Sequence, residues 1–126
     1  MGFEAVYVTG AGVTNVLLGM PDLGFISLPE LAQQTSAMRE VVELPIIVDA
    51  DTGFGEALNV ERTVIELEAA GVAAIQLEDQ QLPKRCGHLS GKSLVEPAAF
   101  CAKLRAAVTA RINPDLVLIG RTGDLP

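Results

Sequence analysis

Ile46-Ile47-Val48-Asp49-Ala50-Asp51-Thr52-Gly53-Phe54-Gly55 is a short apolar run that ends in two carboxylates and a glycine-rich turn. Its first three residues are apolar without alternation. That is the pattern of a parallel strand covered on both faces, whereas an antiparallel meander alternates apolar and polar positions. Outward from it the same unit repeats. Ala5-Val6-Tyr7-Val8 precedes it, and Ala74-Ile75-Gln76-Leu77-Glu78-Asp79 and Leu116-Val117-Leu118-Ile119 follow. Strands are expected over 4–9, 46–49, 74–78 and 116–120, with amphipathic helices over 28–42, 57–70 and 97–112 between them.

Start and stop signals agree with these helices. Ser27 is placed to cap the first, with Pro29 and Glu30 in its opening turn; Gly71 stops the second after Glu68-Ala69-Ala70; Pro97 opens the third and Asn113-Pro114 closes it. Short links then lead to the next strand, as in β-α-β units. Two segments are longer, Gly10 to Ser27 and Gln80 to Glu96, and both are expected as loops. Each follows a strand C-terminus, where parallel α/β folds build their ligand sites.

The chain has 126 residues and is 49% hydrophobic, enough for one compact domain with a buried core. Its formal charge of −7 argues against nucleic acid or an anionic membrane as partner, because both require a basic face. Two cysteines form no disulfide framework, and with one histidine they cannot complete an ordinary structural zinc site. No apolar run is long enough to span a bilayer, and no leader pattern stands at the start. The expectation is a soluble, cytoplasmic protein.

Several groups cluster at the strand ends. If the strand continues to Asp51, Asp49 and Asp51 point to one side of it and can share a hard cation; the alternative is a turn residue beside a solvated strand end. Glu78 can orient metal-bound waters or transfer a proton, or can simply pair with Arg121. Thr9-Gly10-Ala11-Gly12 lets backbone N–H groups approach a carboxylate or phosphate. A dinucleotide fingerprint is disfavoured there, because Asn15 stands at the third glycine position. Asp22 is a possible acceptor for metal-bound water or a turn residue, and Arg121 a carboxylate clamp or a surface ion pair.

Lys84-Arg85-Cys86-Gly87-His88 surrounds a cysteine with basic residues, which stabilise a thiolate. Cys86 is therefore a candidate acid, base or nucleophile. The other reading is an exposed basic loop with an inert thiol.

Taken in order, Val8-Thr9-Gly10, Leu18-Gly19-Met20-Pro21-Asp22, Val48-Asp49-Ala50-Asp51-Thr52-Gly53-Phe54-Gly55, Leu77-Glu78-Asp79-Gln80, Lys84-Arg85-Cys86-Gly87-His88-Leu89 and Gly120-Arg121-Thr122 resemble the isocitrate lyase and phosphoenolpyruvate mutase superfamily. The cysteine is similar to that of its methylisocitrate lyase branch. The resemblance implies a Mg²⁺-dependent lyase, with Mn²⁺ as an alternative ion, that cleaves a 2-hydroxy di- or tricarboxylate to pyruvate or glyoxylate plus a dicarboxylate such as succinate. It implies Asp49 and Asp51 at the metal, Asp22 and Glu78 around it, and Thr9, Gly10, Ala11 and Gly87 at the substrate. Arg121 would bind a substrate carboxylate, Cys86 would donate the proton, and His88 and Lys84 would tune the thiol. The Gln80–Glu96 segment would close as a lid.

The superfamily fold is a (β/α)₈ barrel of roughly 250 residues. Residues 1–126 are therefore expected to form a single partial (β/α)₈ barrel domain of about four parallel strands, without the family's opening helix and first strand and its C-terminal half. Homo-oligomers are expected from the same resemblance. Thr9 and Ala11 depart from the serine and glycine common in the lyase branch. An oxaloacetate decarboxylase, a phosphoenolpyruvate mutase-like enzyme and an inactive truncated remnant are the alternatives.

Overall fold

A computed structural model describes residues 2–84 and 91–123. Its elements, in chain order, are β1 (Val6–Val8), α1 (Gly10–Leu18), α2 (Leu28–Val41), β2 (Ile46–Asp49), α3 (Ala57–Ala69), β3 (Ala74–Glu78), α4 (Pro97–Ala110) and β4 (Val117–Arg121). The strands form one sheet in the order β1-β2-β3-β4, and every pair is parallel. A doubly wound sheet reverses its strand order at a switch point; this one runs in sequence order, as in part of a (β/α)₈ barrel.

Alternation along the strands separates two faces. Val8, Ile46, Val48, Ile75 and Leu77 pack with Leu31, Val60, Val64, Leu67 and Ala107 into one core beneath the helices. The stripe Val60, Thr63, Val64 and Leu67 explains why α3 lies on the sheet, since residues three and four apart share a helix face. Tyr7, Ile47, Asp49, Gln76, Glu78, Ile119 and Arg121 lie on the other face, in register across the four strands. That face is only partly covered, so the expected apolar cover on both sides is found on one.

The helix boundaries follow local chemistry. At the start of α2 the Ser27 hydroxyl and backbone N–H both donate to Glu30 Oε2, at 2.6 and 2.8 Å. Gly71, at φ 85°, ends the α3 turn with its N–H on Glu68 O. The third expected helix stops at Ala110 rather than residue 112. Glu68 supplies the reason: its carboxylate accepts the N–H groups of Ile112 and Asn113 at 2.9 and 2.5 Å, drawing the backbone out of the helix.

The segment 10–27, expected as a loop, opens with helix α1. Thr9 stands at its N-cap, Thr14 Oγ1 donates to Gly10 O at 2.7 Å, and Gly19 at φ 62° closes it. In the second long segment, Gln80 bridges Leu94, Gln81 N–H donates to Ser93 O and Val95 N–H to Asp79 O. The two ends of that segment are therefore held together at the sheet edge.

Candidate active site

At the C-terminal end of β2 the chain turns sharply. Asp51 and Phe54 are non-glycine residues at φ 50° and 59°, in a turn that also holds Gly53 at 90° and Gly55 at 143°. Left-handed backbone at a non-glycine residue costs on the order of 1–3 kcal/mol and persists only where the surroundings enforce it. β2 itself stops at Asp49, so Asp49 and Asp51 do not share a face through strand alternation. They come together because Asp51 N–H donates to Asp49 Oδ1 at 3.0 Å, an Asx turn.

A carboxylate group is assembled around Lys84. Its ammonium donates to Asp51 Oδ1, lies 2.9 Å from Asp22 Oδ1 and 4.0 Å from Glu78 Oε1. Lys84, Asp51 and Glu78 are all buried. Gln80 Nε2 donates to Glu78 Oε1 at 3.2 Å, and Arg121 Nη1 stands 3.9 Å from Glu78 Oε2 at the rim. The Glu78–Arg121 pairing anticipated in the sequence is thus present, at a distance comparable to that between Glu78 and Lys84.

The electrostatics show an excess of negative charge. Burial pushes the Asp51 carboxyl up to about 6; Lys84 opposes the rise, while Asp49 and Asp22 add to it. Burial likewise raises Glu78, again against Lys84. Burial alone pulls the Lys84 ammonium down, but Asp51 and Asp22 more than offset this and hold it above its ordinary value. Two cations, Lys84 and Arg121, face the four carboxylates of Asp22, Asp49, Asp51 and Glu78, so negative charge is in excess. Tyr7, beside Asp49 on the open face, is pushed up to about 12 by its burial and by that carboxylate.

Among the described residues, no three His, Cys, Asp or Glu side chains converge closely enough to chelate an ion by themselves. Mg²⁺-type ions need less, since one or two carboxylates with waters and substrate oxygens complete their shell. Asp49 and Asp51 are hard oxygen donors in a region of unbalanced negative charge, and that donor set fits such an ion.

Helix α1 brings a second binding element to the same place. A Cβ built on Gly10 would lie 3.4 Å from Asp51 Oδ1, so the first turn of α1 abuts this carboxylate. N–H groups in a first turn have no intrahelical partner and carry the positive end of the helix dipole. Thr9, Gly10 and Ala11 therefore form the N-terminus of a helix rather than a glycine loop.

The structure brings together Asp22, Asp49, Asp51, Glu78, Arg121 and the Thr9–Ala11 turn. Cys86, Gly87 and His88 lie outside the described residues. Lys84, expected to tune the thiol, has its ammonium engaged by Asp51 and Asp22. The fold after β3 brings the Lys84 ammonium to the strand ends, and its expected pairing with Cys86 falls outside the described residues. Tyr7 and Lys103 were not singled out as site residues. Tyr7 is the single tyrosine and interrupts an apolar strand, and Lys103 is a charge on the apolar stripe of α4; either interruption is a readable signal.

The fold defines a chain of the (β/α)-barrel class, with the acidic cluster at the C-terminal end of its strands, where such barrels build their active sites. The chain belongs to the phosphoenolpyruvate phosphomutase family, whose match covers residues 1–125. It is 60% identical over 122 residues to a 2-methylisocitrate lyase of Aeropyrum pernix, covering 97% of this chain and 39% of that protein. The crystal structure of 2,3-dimethylmalate lyase, a PEP mutase/isocitrate lyase superfamily member, superimposes with a TM-score of 0.93 at 42% identity, over 98% of this chain and 42% of that one. Phosphonopyruvate hydrolase, solved with oxalate and Mg²⁺, gives a TM-score of 0.85 at 35% identity, over 96% and 41%. The chain thus spans about two fifths of the length of these relatives.

Proposed function

We propose that this chain carries the metal-binding and carboxylate-binding part of a Mg²⁺-dependent carbon–carbon lyase of the methylisocitrate type. Its substrate is a 2-hydroxy di- or tricarboxylate, split to pyruvate or glyoxylate and a dicarboxylate such as succinate. The observation that carries this reading is the convergence of Asp22, Asp51 and Glu78 on Lys84 beside the first turn of α1, with Asp49 bonded to the Asp51 N–H. The similarity to 2-methylisocitrate lyase and 2,3-dimethylmalate lyase supports it.

Asp49 and Asp51 would hold Mg²⁺ or Mn²⁺, with Asp22 and Glu78 accepting from its waters; the Mg²⁺ of phosphonopyruvate hydrolase supports a divalent ion in such a site. The bound ion would supply Lewis-acid stabilisation of negative charge on substrate oxygens. The free N–H groups of the α1 turn, from Gly10 to Gly12, receive the carboxylate of the 2-oxo acid fragment. Arg121, half-exposed at the rim, takes a second carboxylate bidentately. Lys84 keeps Asp51 and Asp22 oriented. Glu78, raised by burial, is suited to accept the hydroxyl proton as the bond breaks. Cys86 returns a proton to the dicarboxylate fragment, an assignment that rests on its basic neighbours Lys84, Arg85 and His88 in sequence. The same reading makes the protein a cytoplasmic homo-oligomer; the exposed apolar Val16, Leu17 and Val117 support an association surface.

The test is pyruvate release from 2-methylisocitrate by the purified chain, followed by coupled lactate dehydrogenase. Release is expected with Mg²⁺ and is lost with EDTA and in Cys86→Ser. Release that survives the serine substitution removes Cys86 as proton donor. Oxaloacetate turnover without 2-methylisocitrate cleavage replaces the lyase by a decarboxylase, and a folded chain that turns over neither substrate is a non-catalytic remnant.

A further inference from the structure

The strained turn that carries Asp51 is held from outside by two side chains. Thr63, fully buried on α3, donates its hydroxyl to Gly53 O at 2.9 Å. Lys103, buried on α4, donates its ammonium to Thr52 O at 3.1 Å. Thr52 is the residue after Asp51, and its carbonyl direction is tied to the backbone torsions of the turn. On the other side, Asp51 O accepts the N–H of Glu78 at 2.8 Å. The turn is therefore clamped between β3 and two helices.

Lys103 is an unusual choice for this place. It shares the inner face of α4 with Phe100 and Ala107, at the i−3 and i+4 positions, where an apolar residue packs without desolvating a charge. Its ammonium bonds a backbone carbonyl, and among the described residues no carboxylate pairs with it. A buried ammonium that contributes little to packing is explained by what it holds. It fixes one carbonyl of the turn and brings a positive charge to the residue next to Asp51.

We propose that Lys103 is a positioning residue for Asp51: through Thr52 O it holds the left-handed turn that aims this carboxylate into the strand-end cluster. The inference rests on the reading of Asp51 as a cation ligand, and the experiment separates the two.

Wild-type chain, Lys103→Met and Lys103→Arg are compared in two measurements. The first is Mn²⁺ affinity by electron paramagnetic resonance. Lys103→Met is expected to weaken binding about tenfold, the lower range for residues that orient a metal ligand, while Lys103→Arg, which keeps a donor of sufficient reach, restores most of it. The second is amide hydrogen exchange on the metal-free chain. Gly53 N–H, bonded to Ala50 O, and Glu78 N–H, bonded to Asp51 O, are expected to exchange faster in Lys103→Met, while the amides of Val64 and Leu67 keep their protection. Unchanged exchange at Gly53 and Glu78 overturns the proposal. So does acceleration spread evenly over α3 and the turn, which marks a merely structural lysine. If the wild type binds no Mn²⁺, the metal reading fails while the exchange pattern still decides the role of Lys103. Should Lys103→Met not fold, Lys103→Gln, polar but too short to reach Thr52 O, takes its place.

Discussion

Lys84→Met leaves the carboxylates of Asp22, Asp51 and Glu78 buried without the cation that faces them. Removing one partner of a buried ion pair costs about 3–5 kcal/mol, more than the pair contributes relative to an apolar replacement of both. Urea denaturation at pH 7 without divalent cations should show a loss of that size, and a loss near zero would mean that water already solvates the cluster. Asp51 adds a pH signature. Its folded pKa of about 6 stands above its ordinary 3.8, so the folded state binds this proton more tightly. Its contribution to stability is complete below about pH 4 and is lost as the pH rises to about 6. The size is on the order of 2–3 kcal/mol. Glu30 has the opposite sign, because its hydrogen bonds from Ser27 lower its pKa, and its contribution disappears at the acid end. Asp51→Asn should reduce the slope between pH 4 and 6, leaving the part that belongs to Glu78, which burial also raises, and the acid end as it is. A slope unchanged by the substitution would assign it to another group.

Elements that bury a periodic apolar stripe were readable, and the one that does not was missed. β1 to β4 and helices α2 to α4 follow from unbroken apolar runs, 3.6-residue stripes and cap residues such as Ser27 and Gly71. Helix α1 has no such stripe: Gly10, Gly12, Thr14 and Asn15 are poor helix formers and Val16 is exposed. Its helical state comes from tertiary placement, with the Thr9 N-cap on the sheet and the first turn against Asp51. The acidic strand ends were likewise visible, but the position of Lys84 depends on a fold-back after β3 that no local pattern encodes. The turn after β2 tests how tightly such elements are specified. A Cβ on Gly53 would sit 2.5 Å from Val60 Cγ2 at a φ of 90°, where an L side chain is already strained. Gly53→Ala should therefore destabilise by more than about 1 kcal/mol, beyond any gain from a stiffer unfolded chain. Thermal unfolding measures this directly, and a neutral or stabilised variant would mean that the turn adopts another conformation.

On the scale of the molecule, the parallel sheet has two outer strands, β1 and β4, whose outward N–H and C=O groups have no strand partner among the described residues. Apolar side chains stand beside both. Val16 is 83% exposed near β1, and Val117 in β4 is 54% exposed. Unpaired edges flanked by apolar surface are templates for association, and natural sheets protect such edges with charge, especially lysine. The isolated 126-residue chain is therefore expected to self-associate as its concentration rises. Val117→Lys places a charge on the open face of the β4 edge, where Val117 makes little of the core and its loss costs little stability. Sedimentation velocity should show the variant shifted toward monomer across the range where the parent forms larger species, with the far-ultraviolet circular dichroism of both alike. A parent chain that sediments as a monomer at every concentration would mean that the two edges are not association surfaces. A variant that associates as the parent does would move the contact to β1 and the exposed face of α1, where Val16→Lys repeats the test.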